Sequence, residues 1–195
     1  SIKQAFSSKY IKKVIVSTDS KKIAKESLKN KAEVPFLRPS KLASDNTPEI
    51  EVWRHAIKFI NKNNDLDYIV SVPTTSPLRA VSDIDKCVSK AIKENLDIVF
   101  TASKSSRNPY FNMVQMKNGK LERIFSNSKF FSRRQDAPTV YNIEGVFAHF
   151  VKPLEKTGNI LTPKILPYEI SKLHGHMIDF KIDFETAEFL LQKKV

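Results

Sequence analysis

The 195-residue chain has one cysteine, four glycines and one tryptophan. Nowhere does it hold an uninterrupted apolar run near the ~20 residues that a membrane-spanning helix needs. Each shortage excludes something. A lone Cys87 makes no internal disulfide, so the fold must rest on its core, and a reducing cytoplasm is the expected compartment. Its place beside an apolar helical stripe favours a packed thiol over a nucleophile. So few glycines leave no glycine-rich cradle for phosphates. Ser1 opens directly into a polar, helix-like segment, so no signal peptide and no membrane partner are expected. Repeats, low-complexity stretches and obvious linkers are also missing.

What is present suits a globular protein. Hydrophobic residues make up 41% of the chain, enough for a substantial core, and the length suits one domain over residues 1–195. The formal charge is +12. The lysines are scattered over polar helix faces without a basic block or an arginine–aromatic stripe. A solvated surface ranks first, an anionic small substrate second, and nucleic acid is not an expected partner.

The stretch Asp67–Arg79 organises the rest. Tyr68-Ile69-Val70-Ser71-Val72 has the apolar, β-branched pattern of a strand buried on both faces. It changes abruptly into Pro73-Thr74-Thr75-Ser76-Pro77-Leu78-Arg79. Ser82 with Asp85 fits a capping box, and Ile84, Val88, Ala91 and Ile92 form one stripe of the following helix. Ligands of open α/β sheets sit beyond the carboxyl ends of strands, so this hydroxyl-rich loop is the candidate site.

Elsewhere helices and strands alternate. Helical patterns cover residues 2–9, a segment capped by Asp19 or Ser20 with Ile23, Ala24 and Leu28 inward, and a long segment with Thr47 as cap and Pro48 at its first position. Val52, Trp53, Ala56, Ile57 and Ile60 face inward there. Strands are expected at Lys13–Ser17, Val34–Leu37 and Asp97–Thr101. This rhythm implies an α/β fold, a Rossmann-like, mostly parallel sheet with flanking helices. From about residue 109 to 170 a β-rich insert follows: a hairpin turning at Asn118-Gly119, a polar loop from Ser126 to Pro138, and a strand from Val140 to Phe150. Strands near Ile165–Ile170 and Met177–Phe180 and a helix with Phe184, Ala187, Leu190 and Leu191 inward close the chain.

Four segments combine: Arg38-Pro39-Ser40-Lys41-Leu42-Ala43-Ser44-Asp45 before a helix containing His55-Ala56; the Pro73–Arg79 loop; Arg133-Arg134-Gln135-Asp136-Ala137-Pro138 leading to Val140-Tyr141; and Asp179 followed by Asp183-Phe184-Glu185-Thr186-Ala187-Glu188. In order and spacing they resemble the acylneuraminate cytidylyltransferases (CMP–sialic acid synthetases) over nearly the whole chain. The resemblance implies a nucleotide-diphospho-sugar-transferase type of fold. It implies a nucleotidyltransferase that joins CTP to a nine-carbon 2-keto sugar acid of the sialic acid type and releases pyrophosphate. Arg38, Ser44, Thr47, Thr74 and Thr75 would surround the nucleotide, and Arg134, Gln135 and Tyr141 the sugar. Arg134 and Asp179 would serve the reaction, with Asp179 holding Mg²⁺ against the phosphates. A homodimer is implied too, with residues 141–170 reaching toward the partner and Phe147, Phe150, Leu154 and Tyr168 available to it.

Each residue also has a structural reading. Thr74, Thr75 and Ser76 can build a tight turn, Arg38 can brace a strand end, and Asp179 can cap the last helix. His174-Gly175-His176 lacks a third firm ligand for zinc. The chain also departs from the family. Family members begin with a strand and a basic loop, Arg-x-Gly-Ser-Lys, that wraps phosphates, whereas Ser1–Phe6 matches the helix after it. Met177 stands where the family has the first aspartate of its pair. Glu144-Gly145 replaces Asn-Gly, Pro73 takes the place of a glutamine, and the sugar-side lysine falls near Phe111. The resemblance therefore implies a cytidylyltransferase impaired as given; the other reading is a non-catalytic binding or assembly module on the same fold.

Overall fold

The structure is a computed structural model that describes residues 1–63, 65–125, 131–157 and 164–193. Six helices and six strands are defined among these residues. The central sheet has four strands, β1 (Tyr68–Ser71), β2 (Ile98–Lys104), β5 (Tyr141–Phe150) and β6 (Ile165–Glu169), in the order β1-β5-β2-β6. Three run in one direction, and β2 pairs with β6 in parallel. The fourth, β5, lies antiparallel between β1 and β2. The expected parallel set is therefore present in direction, with a reversed strand threaded through it.

Helix α4 (Val81–Lys93) shows how the sequence builds one layer. Its stripe Ile84, Cys87, Val88 and Ala91 is buried to 3% exposure or less and packs with Val99, Val146 and Ala148 of the sheet. Complete burial of Ile84 and Val88 contributes roughly 2 kcal/mol each. The helix starts earlier than Ser82: Ala80 is the cap residue, and the Asp83 carboxylate accepts from the Ala80 N–H at 3.1 Å. Ile92, expected inward, is exposed. Burial pushes the Cys87 thiol up to about 12, and its Sγ lies 3.1 Å from the Val99 carbonyl, so the packed-thiol reading holds.

The opposite face of the sheet is covered by α3 (Glu49–Ile60) and α5 (Val151–Thr157), through Ile50, Trp53, Ile57, Val151 and Leu154. Pleat alternation separates the layers, because Val146 and Ala148 of β5 face α4 while Phe147 and His149 meet Trp53. Leu154 is 2% exposed, and Phe147, Phe150 and Tyr168 are half-buried, so the apolar side chains expected at a dimer surface largely pack inward.

Other differences have local causes. Tyr68–Ser71 is an edge strand and only half-buried on both faces. Among the described residues Lys13–Ser17 and Val34–Leu37 do not join the sheet; a single parallel bridge joins Ile15 to Glu33, the residue before the second segment. Helices α1 (Ile2–Ser7) and α2 (Lys21–Lys29) form as expected, the second capped by the Ser20 hydroxyl at 3.3 Å from the Ile23 N–H. However, Ile23 and Leu28 are exposed and only Ala24 and Ser27 are buried. The hairpin β3 (Val114–Lys117) and β4 (Lys120–Arg123) turns at Asn118-Gly119 with positive φ at both, as that pair favours. Part of the polar loop (126–130) lies outside the described residues. Met177–Phe180 is a loop, and α6 (Lys181–Gln192) buries Ala187 while Phe184 and Leu191 are exposed.

Candidate active site

The antiparallel course of β5 builds the site. Ser71 ends β1 opposite Phe147, so residues 141–146 run on past β1, beside the loop that leaves it. Against β2 the register passes from Phe100–Phe147 to Ala102–Ile143, so Glu144-Gly145-Val146 face Thr101 alone. This bulge interrupts the ladder. The buried Thr101 hydroxyl repairs part of it by accepting from the Val146 N–H at 3.0 Å. Bulges beside functional sites re-aim side chains, and this one turns Glu144 and Gly145 toward the strand ends.

Three segments meet there. A Cβ placed on Gly145 would lie 2.7 Å from the Ser76 Cβ and closer still to its Oγ, so loop and bulge are in direct contact. Ser76 is buried, and its hydroxyl lies 2.6 Å from the Met177 sulfur. One residue further on, the Ile178 N–H donates to the Thr75 carbonyl at 2.8 Å. Asp179 follows, exposed, with its own N–H bonded to the Asp183 carboxylate that caps α6. Thr75 and Asp179 are thus brought to one place.

The loop is braced from behind. Arg79 is 4% exposed and donates through Nη2 to the Pro73 carbonyl. Burial lowers its pKa to about 10. From α1, the Gln4 amide donates to the carbonyls of Pro77 (3.1 Å) and Arg79 (2.8 Å), and the Ser1 hydroxyl to that of Pro73 (3.2 Å). With these carbonyls held from within, Thr74 and Thr75 stay exposed at the surface. The binding reading of these two threonines therefore has accessible side chains, whereas Ser76 is structural.

Glu144 is the residue that sequence reasoning treated only as a departure. It is 6% exposed, and its Oε1 accepts from the Ser103 hydroxyl at 2.6 Å. Its carboxyl carbon lies 2.9 Å from where a Gly175 Cβ would stand. Burial raises its pKa; the Ser103 bond opposes that, the Asp179 charge adds to it, and His176 opposes it. The signal available in sequence was an acid inside a largely apolar strand, between Ile143 and the Gly145-Val146-Phe147-Ala148 run.

The other candidates stand farther out. Arg38 braces a strand end: its Nη2 donates to the Ser17 carbonyl at 3.2 Å and its backbone N–H to the Thr18 carbonyl at 2.8 Å. Ser44 and Thr47 share a 2.9 Å hydroxyl contact, and Thr47 Oγ1 donates to the Lys41 carbonyl. Thr47 is therefore not the cap of α3; Pro48 holds that position. Arg134 and Gln135 are exposed on a short 3₁₀ turn, Arg134–Asp136, that leads into the start of β5 and so to the same edge of the sheet. Among the described residues no hydrogen bond or ion pair joins the Arg134 side chain to Thr75 or Asp179. Tyr141 donates to Glu169 at 3.1 Å, beside the Lys104–Glu169 ion pair. His174 pairs through Nδ1 with Asp83 at 2.8 Å, and His176 Nε2 lies 2.8 Å from the Asp183 carbonyl. Among the described residues there is no group of three or more His, Cys, Asp or Glu placed to hold a metal ion.

The helix-flanked sheet thus carries a hydroxyl loop and an acidic segment together at its strand ends. The sequence pattern of the family described as Cytidylyltransferase matches residues 1–195. The chain is 32% identical to post-translational flagellin modification protein B of Campylobacter coli, over all of this chain and 83% of that one. It is 30% identical to CMP-N,N'-diacetyllegionaminic acid synthase of Campylobacter jejuni, with the same coverage of both. Among solved structures, CMP:2-keto-3-deoxy-manno-octonic acid synthetase complexed with CTP superposes with a TM-score of 0.72 at 11% identity, covering 100% of this chain and 86% of the other. The chain belongs to the cytidylyltransferase family.

Proposed function

We propose that this protein transfers a cytidylyl group from CTP to the anomeric hydroxyl of a nine-carbon 2-keto sugar acid. The acceptor oxygen bonds to the α-phosphorus, the bond to the bridging oxygen of the β-phosphate breaks, pyrophosphate leaves with that electron pair, and the hydroxyl proton passes to water. The observation that carries this reading is the Ile178–Thr75 hydrogen bond, which seats the Asp179 segment against the exposed threonines. The relative named as a legionaminic acid synthase supports an acceptor of the nonulosonic class over a neutral sugar.

In this reading Thr74 and Thr75 bind the nucleotide, with Arg38, Ser44 and Thr47 on its base side. Arg134 offers a planar fork to the sugar's carboxylate, with Gln135 and Tyr141 beside it. Mg²⁺ is the proposed cofactor. Asp179 is exposed and in no ion pair among the described residues, and Mg²⁺ needs only one or two carboxylates when substrate phosphates complete its shell. The residues fit on that basis, although the Met177 thioether contributes nothing to such a hard ion. When bound, the ion would neutralise charge gathering on the pyrophosphate. We also infer a homodimer. Support comes from apolar side chains exposed on the hairpin, Val114, Met116 and Leu121, and on β5, Ile143. Among the described residues no helix is long and apolar enough to cross a membrane, and the cytoplasm is the proposed compartment on the strength of the reduced, buried Cys87.

The test is pyrophosphate release from CTP and Mg²⁺ with a panel of nonulosonic acids. Release that depends on one of these acids is expected, and none with any acid would refute the reading. Arg134→Ala is expected to raise the KM for the sugar acid about tenfold or more while leaving that for CTP within about twofold, since one charged hydrogen-bonded contact is worth roughly 1.5–3 kcal/mol. Equal losses for both substrates would show the residue to be misassigned. Sedimentation equilibrium is expected to give twice 22.3 kDa, and a single 22.3 kDa species would rule the dimer out.

A further inference from the structure

Away from the candidate site, α2 and the extended residues 34–37 enclose a groove of about 420 Å³. Ala24, Leu28, Val34, Phe36 and Leu37 give it an apolar lining, and Lys21 and Lys25 stand beside them. Both walls are fixed in place. The Phe36 ring lies 4.7 Å from the rings of His55 and Phe59 on α3. Its segment is tied at both ends, by the Ile15–Glu33 bridge and by the Arg38 N–H on the Thr18 carbonyl at 2.8 Å. Helix α2 is anchored through Ala24 and Ser27, which leaves Leu28 57% and Leu37 45% exposed. A hollow already formed costs little ordering when it is filled.

The charge around it has one sign. No acid lines the groove. Glu26, the only acid of α2, is paired with Lys29 at 3.0 Å, and Glu33 with Lys13 at 2.9 Å. Lys21 and Lys25 enter no ion pair among the described residues. Four residues apart on one helix face, they repel each other, and an anion set between them relieves that repulsion. We propose that this groove docks an acidic segment of another protein, which inserts an apolar side chain against Leu28, Val34 and Phe36 and sets Asp or Glu beside Lys21 and Lys25. The docking is independent of the reaction proposed above. A second copy of the chain suits the groove poorly, because it carries the same +12. A flat lipid surface does not fill a concave floor, and a phosphate backbone leaves the apolar lining uncovered.

The test is selection of a display library of random twelve-residue peptides on the intact chain, followed by fluorescence-anisotropy titration of the most enriched peptide. A peptide of net negative charge with a Leu, Ile, Met or Phe anchor is expected, with a Kd of about 1–100 μM. Lys21→Glu with Lys25→Glu is expected to weaken it about tenfold or more, and Leu28→Ser by a similar factor. Both variants should melt within about 2 °C of wild type, since the altered side chains are exposed. Lys117→Glu with Lys120→Glu, on the hairpin, should leave the Kd within about twofold; a loss there equal to that at Lys21 and Lys25 would mean general charge attraction and overturns the proposal. So do a library with no enriched peptide, enriched peptides without net negative charge, and binding within twofold of wild type in the two groove variants. Displacement of the peptide by phosphatidylglycerol–phosphatidylcholine vesicles would give the groove to a lipid surface and also overturns it.

Discussion

Gly145→Ala is expected to lower the melting temperature by about 6–12 °C, the equivalent of about 3 kcal/mol for a chain of this size. The added methyl has nowhere to go: it would sit 2.7 Å from the Ser76 Cβ and nearer to its hydroxyl. Neither neighbour is the far end of a flexible chain. Ser76 is buried against Met177, and its loop is tied through Thr75 to Ile178 and through Pro73 to Arg79. Relief must therefore move main chain, and the threonines that we assign to the nucleotide move with it. CTP affinity should fall in the same variant. Adding Ser76→Gly, which deletes the obstructing atoms, should restore most of the melting temperature. A single variant that melts within 1 °C of wild type would show that the loop yields freely.

Acidification from pH 6.5 to 4 is expected to remove about 3 kcal/mol through His149 alone. The ring is fully buried, with both nitrogens unpartnered, 4.3 Å from Trp53 and stacked on Phe147. Burial depresses its pKa to about 4 from 6.5. In the unfolded chain the imidazole binds a proton below about pH 6.5, while in the folded chain it stays neutral until about 4. The unfolded state therefore holds more protons in this window. Stability is complete above 6.5 and lost as pH falls toward 4, at 1.36 kcal/mol per pKa unit. Glu49 and Glu144, both raised by burial, shift stability the opposite way, so the comparison must be with a variant. His149→Phe keeps an aromatic ring against Trp53 and should flatten the acid slope of urea-derived stability by about that amount. An unchanged slope would locate the sensitivity elsewhere.

How much of this was legible in the chain depended on whether a signal was local. The α4 stripe needs only its own periodicity, and the Asn118-Gly119 turn only its own backbone preference, so the turn read correctly and the stripe did at Ile84, Val88 and Ala91, though not at Ile92. Strand pairing is not local. Val14–Val16 and Val34–Leu37 have strand composition, yet among the described residues no sheet neighbour takes up their ladder beyond the Ile15–Glu33 bridge. The edge position of β1 depends on where β5 lies, which alternation within Tyr68–Ser71 does not encode. Val151–Thr157 forms a helix absent from the sequence-based expectations; its Pro153 stands in the first turn, where proline is tolerated.

The site divides in the same way. The hydroxyl loop announced itself by composition, and the structure leaves Thr74 and Thr75 accessible. Arg38 and Thr47 also brace neighbouring carbonyls, at Ser17 and Lys41, and Ser44 touches Thr47, contacts that their composition does not announce. Glu144 looked like a mere exchange because its meaning comes from the bulge, from Ser103 on another strand and from Gly175 near the far end of the chain.

The reversed strand has one more consequence. Because β5 starts opposite the end of β2 and beyond that of β1, the candidate site is assembled from stretches around residues 75, 103, 144 and 178, drawn from more than half the length of the polypeptide. No excised half can keep it. Ligand capture and global melting should therefore vanish together, in one cooperative step, so that a tracer for the nucleotide doubles as a gauge of the intact molecule.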